Sequence, residues 1–366
     1  MPRLARALSA LNPRKDHGEI GLELSLEELH MVQLCRVGES LQVVGHVSVG
    51  YERDLSALLA NPDAFIEVVK QGLKQGNFVG RKAVIAMPAS LTQVMPVSYQ
   101  TSDRLDDDAA IAELMHERLG EGVAEFVIDY MPVQTLYEGK QKLALVAICR
   151  EETVVNLLEL LRKAGLQVSA LEIGPIALRR LITTLQPKGT LQNTLVVNCG
   201  RDKSYLTLLS DNRLLADDEV DFGEEQVLQK ISNTLDMHRD IVMDLVHKIG
   251  LDPDHKSAEP GTVQNAEALS QIVKPLFARL AQEIERGLVF AQSESRGSRP
   301  NQVYLLGSIA RWPGAAELLS ALVQAPVTTA PSPLALFASS STKDLGPAPE
   351  LAVATGLALR KFMQHG

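Results

Sequence analysis

The chain is short of the residue types that define several protein classes, and each shortage removes a class. Its 366 residues include three cysteines, one tryptophan and 4% aromatic residues. Cys35, Cys149 and Cys199 lie far apart among apolar neighbours. They read as small buried residues of a reducing compartment, not as a disulfide framework or a zinc site. A basic excess is missing too: 36 Lys and Arg stand against 45 Asp and Glu, a formal charge of −9. A general nucleic-acid binder needs the opposite balance to neutralise phosphates, so no nucleic-acid partner is expected. There is no run of about eighteen apolar residues, so no helical membrane span is expected. The N-terminus lacks the continuous apolar core of a signal peptide, and the expected location is cytoplasmic. Walker loop, GxGxxG and HExxH motifs are all absent, which removes the enzyme classes they mark. What is present in quantity is hydrophobic content, 45%, enough at this length for two or three cores.

Two hairpins organise the rest. Leu195 to Leu209 reads as an apolar strand, a tight polar turn from Asn198 to Lys203, and a second strand. A turn with Gly and small polar residues can cradle phosphate with backbone N–H groups, or can be a plain hairpin. Ile20 to Leu34 repeats the pattern, a strand, a short polar turn and a strand. Two such units in one chain imply a duplicated architecture with a cleft between its halves.

Between and around these hairpins the periodicity alternates between strand and helix. Residues 1–18 carry Leu4, Leu8 and Leu11 at helical spacing beside Arg3, Arg6, Arg14 and Lys15, which suits either a basic tail with a weak membrane-surface or partner contact or a frayed, solvated tail. Strands are expected at 20–25, 29–36 and 41–49. A helix opened by Asn61-Pro62-Asp63 should run to about Gln75. Ala83 to Met87 has the apolar character of a central strand, and Gln93 to Val97 gives another. Asp103 to Leu119 is expected to be helical, its acidic start matching the helix dipole rather than a metal site. Strands at 124–132 and 142–149 should turn at Glu138-Gly139-Lys140. Helices are expected at 151–164, 175–185, 224–235 and 239–249, with a polar loop at 251–262 containing Pro253, Pro260 and Gly261. A long apolar stripe covers 264–293, where Pro275 should kink or split the helix. Residues 330–349 read as an exposed Ser/Pro/Ala-rich loop, and Leu351 to Phe362 as a closing apolar helix.

In that order, the elements resemble the type IV pilus assembly protein PilM family, bacterial members of the actin-like superfamily. The first hairpin resembles the family's opening phosphate hairpin and the central one its second phosphate motif. Ala83 to Cys149 is similar to the small inserted subdomain shared with the cell-division protein FtsA. Glu283-Ile284-Glu285-Arg286-Gly287-Leu288 resembles the Glu-Ile-x-Arg-Ser-Leu helix. Val303 to Gly314 is similar to the adenosine motif, and Leu351 to Arg360 to the closing Ala-x-Gly-Leu-Ala-Leu-Arg helix. The resemblance implies an α/β, actin-like (ASKHA) fold with two sheet-and-helix halves around a nucleotide cleft. It divides the chain into a basic tail at 1–18, a first half at 19–82 and 151–190, an inserted subdomain at 83–150, and a second half at 191–366 whose last helix returns to the first. It also implies a role: a cytoplasmic scaffold, peripheral to the inner membrane, that binds the N-terminal tail of a PilN-like bitopic protein and contacts other pilus platform proteins. Self-association is left open. The mannose-sensitive pilus protein MshI is a close alternative. The type II secretion protein GspL is a more distant one, because it carries a membrane span.

The resemblance places a candidate ATP site at Glu23, Ser25, Asn198, Gly200, Lys203, Ser204, Gly307 and Ser308, and several of these depart from the family pattern. The opening motif is normally Asp-x-Gly-Ser. Here Glu23 replaces the Asp, Ser25 adds a Cβ where the backbone should approach phosphate, Leu26 replaces a hydroxyl, and Glu27 and Glu28 add negative charge. Like charges at about 4–5 Å cost on the order of a few kcal/mol at partly buried sites. Asn198 replaces the second carboxylate and loses most of its hold on a magnesium–water shell. Lys203 alone favours phosphate, and Ser308 replaces the second Gly of the adenosine pair. The expectation is therefore a degenerate ATP site that binds ATP and magnesium weakly and requires neither, with no catalytic or metal residues. The alternative is slow ATP hydrolysis using Glu23. For the partner, Met87, Pro88, Val94 and Met95 are the candidate wall of a peptide groove, to which a tail would add its backbone along a strand edge.

Overall fold

The computed structural model describes residues 15–25, 27–51, 54–102, 105–133, 141–186, 193–210, 213–251, 262–294, 300, 302–323, 325–330, 334–337 and 348–363. Leu26, Asp103, the turn at 138–140, residues 252–261 with Pro253, Pro260 and Gly261, the tail up to residue 14, and most of the 330–349 loop lie outside the described residues. The first stretch runs β1 (Asp16–Leu24), β2 (Glu28–Val37), β3 (Ser40–Gly50), α1 (Leu55–Leu59), α2 (Pro62–Gln75) and β4 (Lys82–Met87). Then come β5 (Gln93–Gln100), α3 (Asp107–Leu119), β6 (Phe126–Val133), β7 (Gln141–Arg150), α4 (Glu151–Lys163), β8 (Gln167–Ile173) and α5 (Gly174–Leu185). The central part is β9 (Asn193–Cys199), β10 (Ser204–Ser210), β11 (Arg213–Val220), α6 (Glu224–Leu235), α7 (Arg239–Ile249) and α8 (Thr262–Glu294). The chain closes with β12 (Gln302–Gly307), α9 (Ala315–Ser320), β13 (Val327–Thr329), α10 (Ala352–Ala358) and α11 (Arg360–Met363).

Two five-stranded sheets repeat one plan. The first has the order β3-β2-β1-β4-β8 and the second β11-β10-β9-β12-β13. In each, an antiparallel hairpin extends to a third strand on one side and meets two parallel strands on the other. A third sheet, β5-β7-β6, is small and antiparallel. Ala83 to Met87, expected at the head of an inserted subdomain, is instead β4 of the first sheet. Its five-residue buried run fits a strand covered on both faces. The chain forms two compact units: Met1–Pro88, Val155–Leu185 and Pro331–Gly366 make one, Ala89–Val154 and Gln186–Ala330 the other.

In the first unit, α2 begins where the sequence says it should. Asn61 accepts the Ala64 N–H at 3.2 Å, Pro62 occupies the first turn, and Phe65, Val69 and Leu73 are buried. The preceding short helix α1, capped by Asp54, was not foreseen. α10 lies on β1, β2, β4 and α5, so the closing helix belongs to the first unit. Its approach is close because Gly21 and Gly356 have no Cβ. A Cβ on Gly21 would stand 2.1 Å from the Ala354 carbonyl oxygen, and one on Gly356 2.0 Å from that of Ala177. Arg180 holds the end of the helix, donating to the Gly356 carbonyl at 2.8 Å and to both oxygens of Glu172. Arg360 reaches the same Glu172 at 2.9 Å.

Gln33 ties the first sheet to the loop before β4. It is 1% exposed and donates to the carbonyls of Gly18 and Val79 while accepting the Val79 N–H. Gln33→Leu keeps the volume and strands three backbone groups. Because Val79 is half-exposed and water reaches part of that site, the expected loss is about 2 kcal/mol, read as a shift of the urea midpoint.

In the second unit, β9 and β10 bury Leu195, Val197, Leu206 and Leu208. α8 contacts β9, β10 and β11, and its Phe277 ring meets Phe222 edge-on at 5.5 Å. α8 runs as one helix through Pro275 instead of splitting there. The proline lies on the exposed side with Gln271 and Lys274, so the carbonyl left without a donor is on the wet face. Leu269, Val273, Leu280, Ile284 and Leu288 are all buried and hold the helix across the break. Among the described residues, no helix is long and apolar enough to cross a membrane.

Candidate functional site

The first hairpin spends its polar groups on itself. The Ser25 N–H donates to the Glu28 carbonyl at 2.9 Å. The Ser25 hydroxyl donates to that same carbonyl and accepts the Glu28 N–H at 3.0 Å. Tyr51 closes the turn from the side, its N–H on the Glu27 carbonyl and its hydroxyl on the Ser25 carbonyl at 3.2 Å. The Ser25 and Glu28 N–H groups, which a phosphate hairpin would offer to its ligand, are therefore committed. Burial, together with Glu23 and Glu28, pushes the Tyr51 hydroxyl well above the usual tyrosine range.

Glu23 is placed by the packing of α10. It shares a face of β1 with Gly21, two residues before it, and the absent Cβ of Gly21 lets the helix descend onto that face. The Glu23 carboxyl accepts the backbone N–H of Ala354, one of the donors that the first turn of a helix cannot satisfy internally. Its Oε2 is buried and has no hydrogen-bond partner among the described residues. Burial raises the Glu23 pKa from 4.5 to about 8, so the neutral acid prevails near pH 7. Nothing in the sequence around Glu23 signals this cap, because its partner is more than three hundred residues away.

In the second unit, Asn198, Gly200, Ser204, Gly307 and Ser308 come together around the Cys199 carbonyl. β12 runs parallel to β9 and sets Gly307 beside Cys199. Gly307 has φ +82, and a Cβ there would stand 2.1 Å from the Cys199 oxygen and 2.9 Å from the Asn198 side-chain oxygen. Glycine is thus required twice over, for backbone angle and for space. The Ser308 N–H donates to the Cys199 carbonyl at 3.0 Å. The turn itself is closed: the Gly200 N–H bonds the Lys203 carbonyl at 3.0 Å, and the buried Ser204 hydroxyl donates to the Phe222 carbonyl at 2.7 Å. The Lys203 ammonium pairs with Glu219 across the hairpin. The first turn of α6 then seals the carbonyl side, with the Glu224 N–H on Gly200 and the Glu225 N–H on Arg201. Gly223 makes that approach feasible, since a Cβ there would lie 2.2 Å from the Arg201 oxygen. Nothing in the local sequence signals this α6 contact. Cys199 is inert by environment, its thiol pushed up to about 12 by burial.

The candidate partner residues are divided between the two units. Met87 and Pro88 end β4 in the first unit, both buried. Val94 and Met95 lie in β5 of the second, and as neighbours in a strand they face opposite sides of the small sheet. Met95 packs with Val97, Tyr99, Ile111 and Met115 under α3, and its sulfur accepts from Arg118 at 3.4 Å. β5 is an edge strand of its sheet.

Among the described residues, no group of three or more His, Cys, Asp and Glu side chains is arranged to hold a metal ion. The family model described as "Type IV pilus assembly protein PilM" matches residues 21–362. Among solved structures, a PilM-PilN type IV pilus biogenesis complex is similar at a TM-score of 0.74 and 22% identity, over 94% of this chain and 98% of that one. The MreB5 protein of Spiroplasma citri bound to AMPPNP gives a TM-score of 0.53 at 10% identity, over 96% and 97%. The ethanolamine utilization protein EutJ from Carboxydothermus hydrogenoformans gives 0.52 at 13%, over 95% and 90%. No curated protein sequence matches the chain. The structural likenesses place the fold as actin-like. With the family match running from β1 to the last turn of helix, the chain belongs to the type IV pilus assembly protein PilM family.

Proposed function

We propose that this PilM-family chain is an adaptor in the assembly of a type IV pilus, holding the N-terminal tail of a PilN-like bitopic protein at the cytoplasmic face of the inner membrane without turning over ATP. The observation that carries the adaptor reading is the family match over residues 21–362 together with the likeness to a PilM-PilN complex across nearly the whole chain. Attachment to the membrane then comes through the partner. Edge addition of the tail's backbone to a strand such as β5 is the favoured mode, because an edge strand has one side free of sheet partners.

The geometry of the two hairpins supports the second half of the reading. Magnesium held through water needs ionised carboxylates directed at the ligand, whereas the half-buried Glu23 turns its Oε2 inward, caps α10 and favours its neutral form. Asn198 supplies no charge, the Ser204 hydroxyl is committed to Phe222, and Lys203 is neutralised by Glu219. The residues present therefore fit magnesium-bound ATP poorly. Two titrations test the two halves separately by calorimetry, one with magnesium and ATP and one with a synthetic peptide of the bitopic protein's tail. The expected result is saturable binding of the peptide and no phosphate release from ATP. Micromolar ATP affinity with turnover would overturn the nucleotide half, and a tail that fails to bind would overturn the adaptor half.

A further inference from the structure

The outer face of α8 is self-complementary, and we propose that it pairs antiparallel with the same helix of a second copy of this chain. While Phe277, Leu280, Ile284 and Leu288 face the core, the opposite side carries an apolar stripe. Val289 is 64% exposed and Phe290 39%, side chains that a surface helix would normally keep inward. They border a shallow groove of about 720 Å³ lined by Ala278, Ala281, Gln282, Glu285 and Arg286 of α8, with Leu322 beside it.

The order of these residues selects the occupant. In an antiparallel pair related by a two-fold axis, residues face each other when their numbers add to a constant. Place the axis between Glu285 and Arg286. Glu285 then faces the second copy's Arg286, Gln282 faces its Val289, and Ala281 faces its Phe290. Each contact occurs twice, as an isologous interface requires. The large side chains meet a small residue and a flexible one, the alternation that lets two helices interdigitate. The single acid and the single base among the groove's described residues meet each other at the axis. An acidic or basic partner peptide would leave one of them facing a like charge. Within one copy, Arg286 is 74% exposed and pairs with Glu283 at 2.8 Å. Exchanging that solvated pair for Glu285 across the axis is an exchange of like for like. One helix pair buries less than a permanent dimer needs, so the association belongs to the weak class that dissociates on dilution.

The test uses the full chain. Cys35, Cys149 and Cys199 are buried, which leaves introduced cysteines as the accessible thiols among the described residues. Gln282→Cys combined with Val289→Cys is expected to give a disulfide-linked dimer under mild oxidation, and neither single variant is, because position 282 faces 289 and not itself. Sedimentation velocity supplies the second readout. Glu285→Arg or Arg286→Glu alone is expected to weaken the dimer about tenfold by setting like charges face to face, and the double exchange to restore it. Linking by either single cysteine would overturn the antiparallel register. A chain that stays monomeric at high concentration with no linked dimer would overturn the proposal. So would a charge exchange that fails to restore the dimer.

Discussion

Gly356→Ala is expected to lower the melting temperature by roughly 6–12 °C, although helix propensity alone predicts the opposite. Alanine in place of glycine inside a helix normally stabilises by about 1 kcal/mol. Here the new Cβ would stand 2.0 Å from the Ala177 carbonyl oxygen and 2.5 Å from its carbon, atoms of the α5 backbone that cannot rotate away. Nor can α10 retreat easily. Arg180 grips the Gly356 carbonyl, the Ala354 N–H is bonded to Glu23, and Gly21 sets the strand below against the helix. Overpacking of this kind costs about 3 kcal/mol, and at about 2–4 °C per kcal/mol for a unit of this size the shift follows. Gly287→Ala in α8 is the control. It meets only Leu195 side-chain carbons, at 3.9 and 4.0 Å, so propensity should win there and the melting temperature should hold or rise. Calorimetry on the two variants decides the matter: a Gly356→Ala protein melting with or above the wild type would mean that α10 does not sit against α5 at backbone contact.

That contrast also marks what could be read from the chain. Periodicity and caps were legible because they are local. Asn61-Pro62-Asp63 opens α2 through its own side chain, and the two hairpins fall where apolar runs flank polar turns. The plan of two sheet-and-helix halves was legible through the family resemblance, but the strand order was not, since β1 and β9 are central only after β4 and β12 have joined them. The start of α3 is an instructive error. Asp103 lies outside the described residues, and Asp106 is the residue that caps the helix by accepting the Ala109 N–H at 2.9 Å. Four acids within six positions made any of them a plausible cap. What stayed illegible was every pairing set by tertiary approach. Lys203, the one change that favours phosphate, pairs with Glu219 of β11, a partner that no local pattern shows. Pro275 read as a kink or a split, and the helix runs through it because the stripe on either side is buried. The split of Val94 and Met95 to opposite faces, by contrast, follows from strand alternation alone.

Glu23→Gln is expected to stabilise the protein progressively as the pH rises, from no effect near pH 4.5 to roughly 3–5 kcal/mol at pH 9. The sign follows from linkage. In the unfolded chain the carboxyl titrates at 4.5, and in the folded protein at about 8. Between those values the native state holds a proton that the unfolded state has released, so wild-type stability falls as pH increases, by about 1.4 kcal/mol per unit. Below 4.5 both states are protonated and the native fold keeps its full stability. Above 8 the native state carries a buried charge with one oxygen unpartnered. Glutamine has the shape of the neutral acid, can accept the Ala354 N–H, and does not titrate. Asp217, raised to about 7 by burial, bends the wild-type curve in the same direction, but it is common to both proteins and cancels in the difference. Urea unfolding of the pair from pH 4.5 to 9 measures that difference directly. A difference that widens with pH means Glu23 is held as a neutral acid under α10, as the proposal of an adaptor without ATP turnover expects. A difference that stays flat would mean the carboxylate is ionised in the native protein, and the first hairpin would again be a candidate to hold a cation.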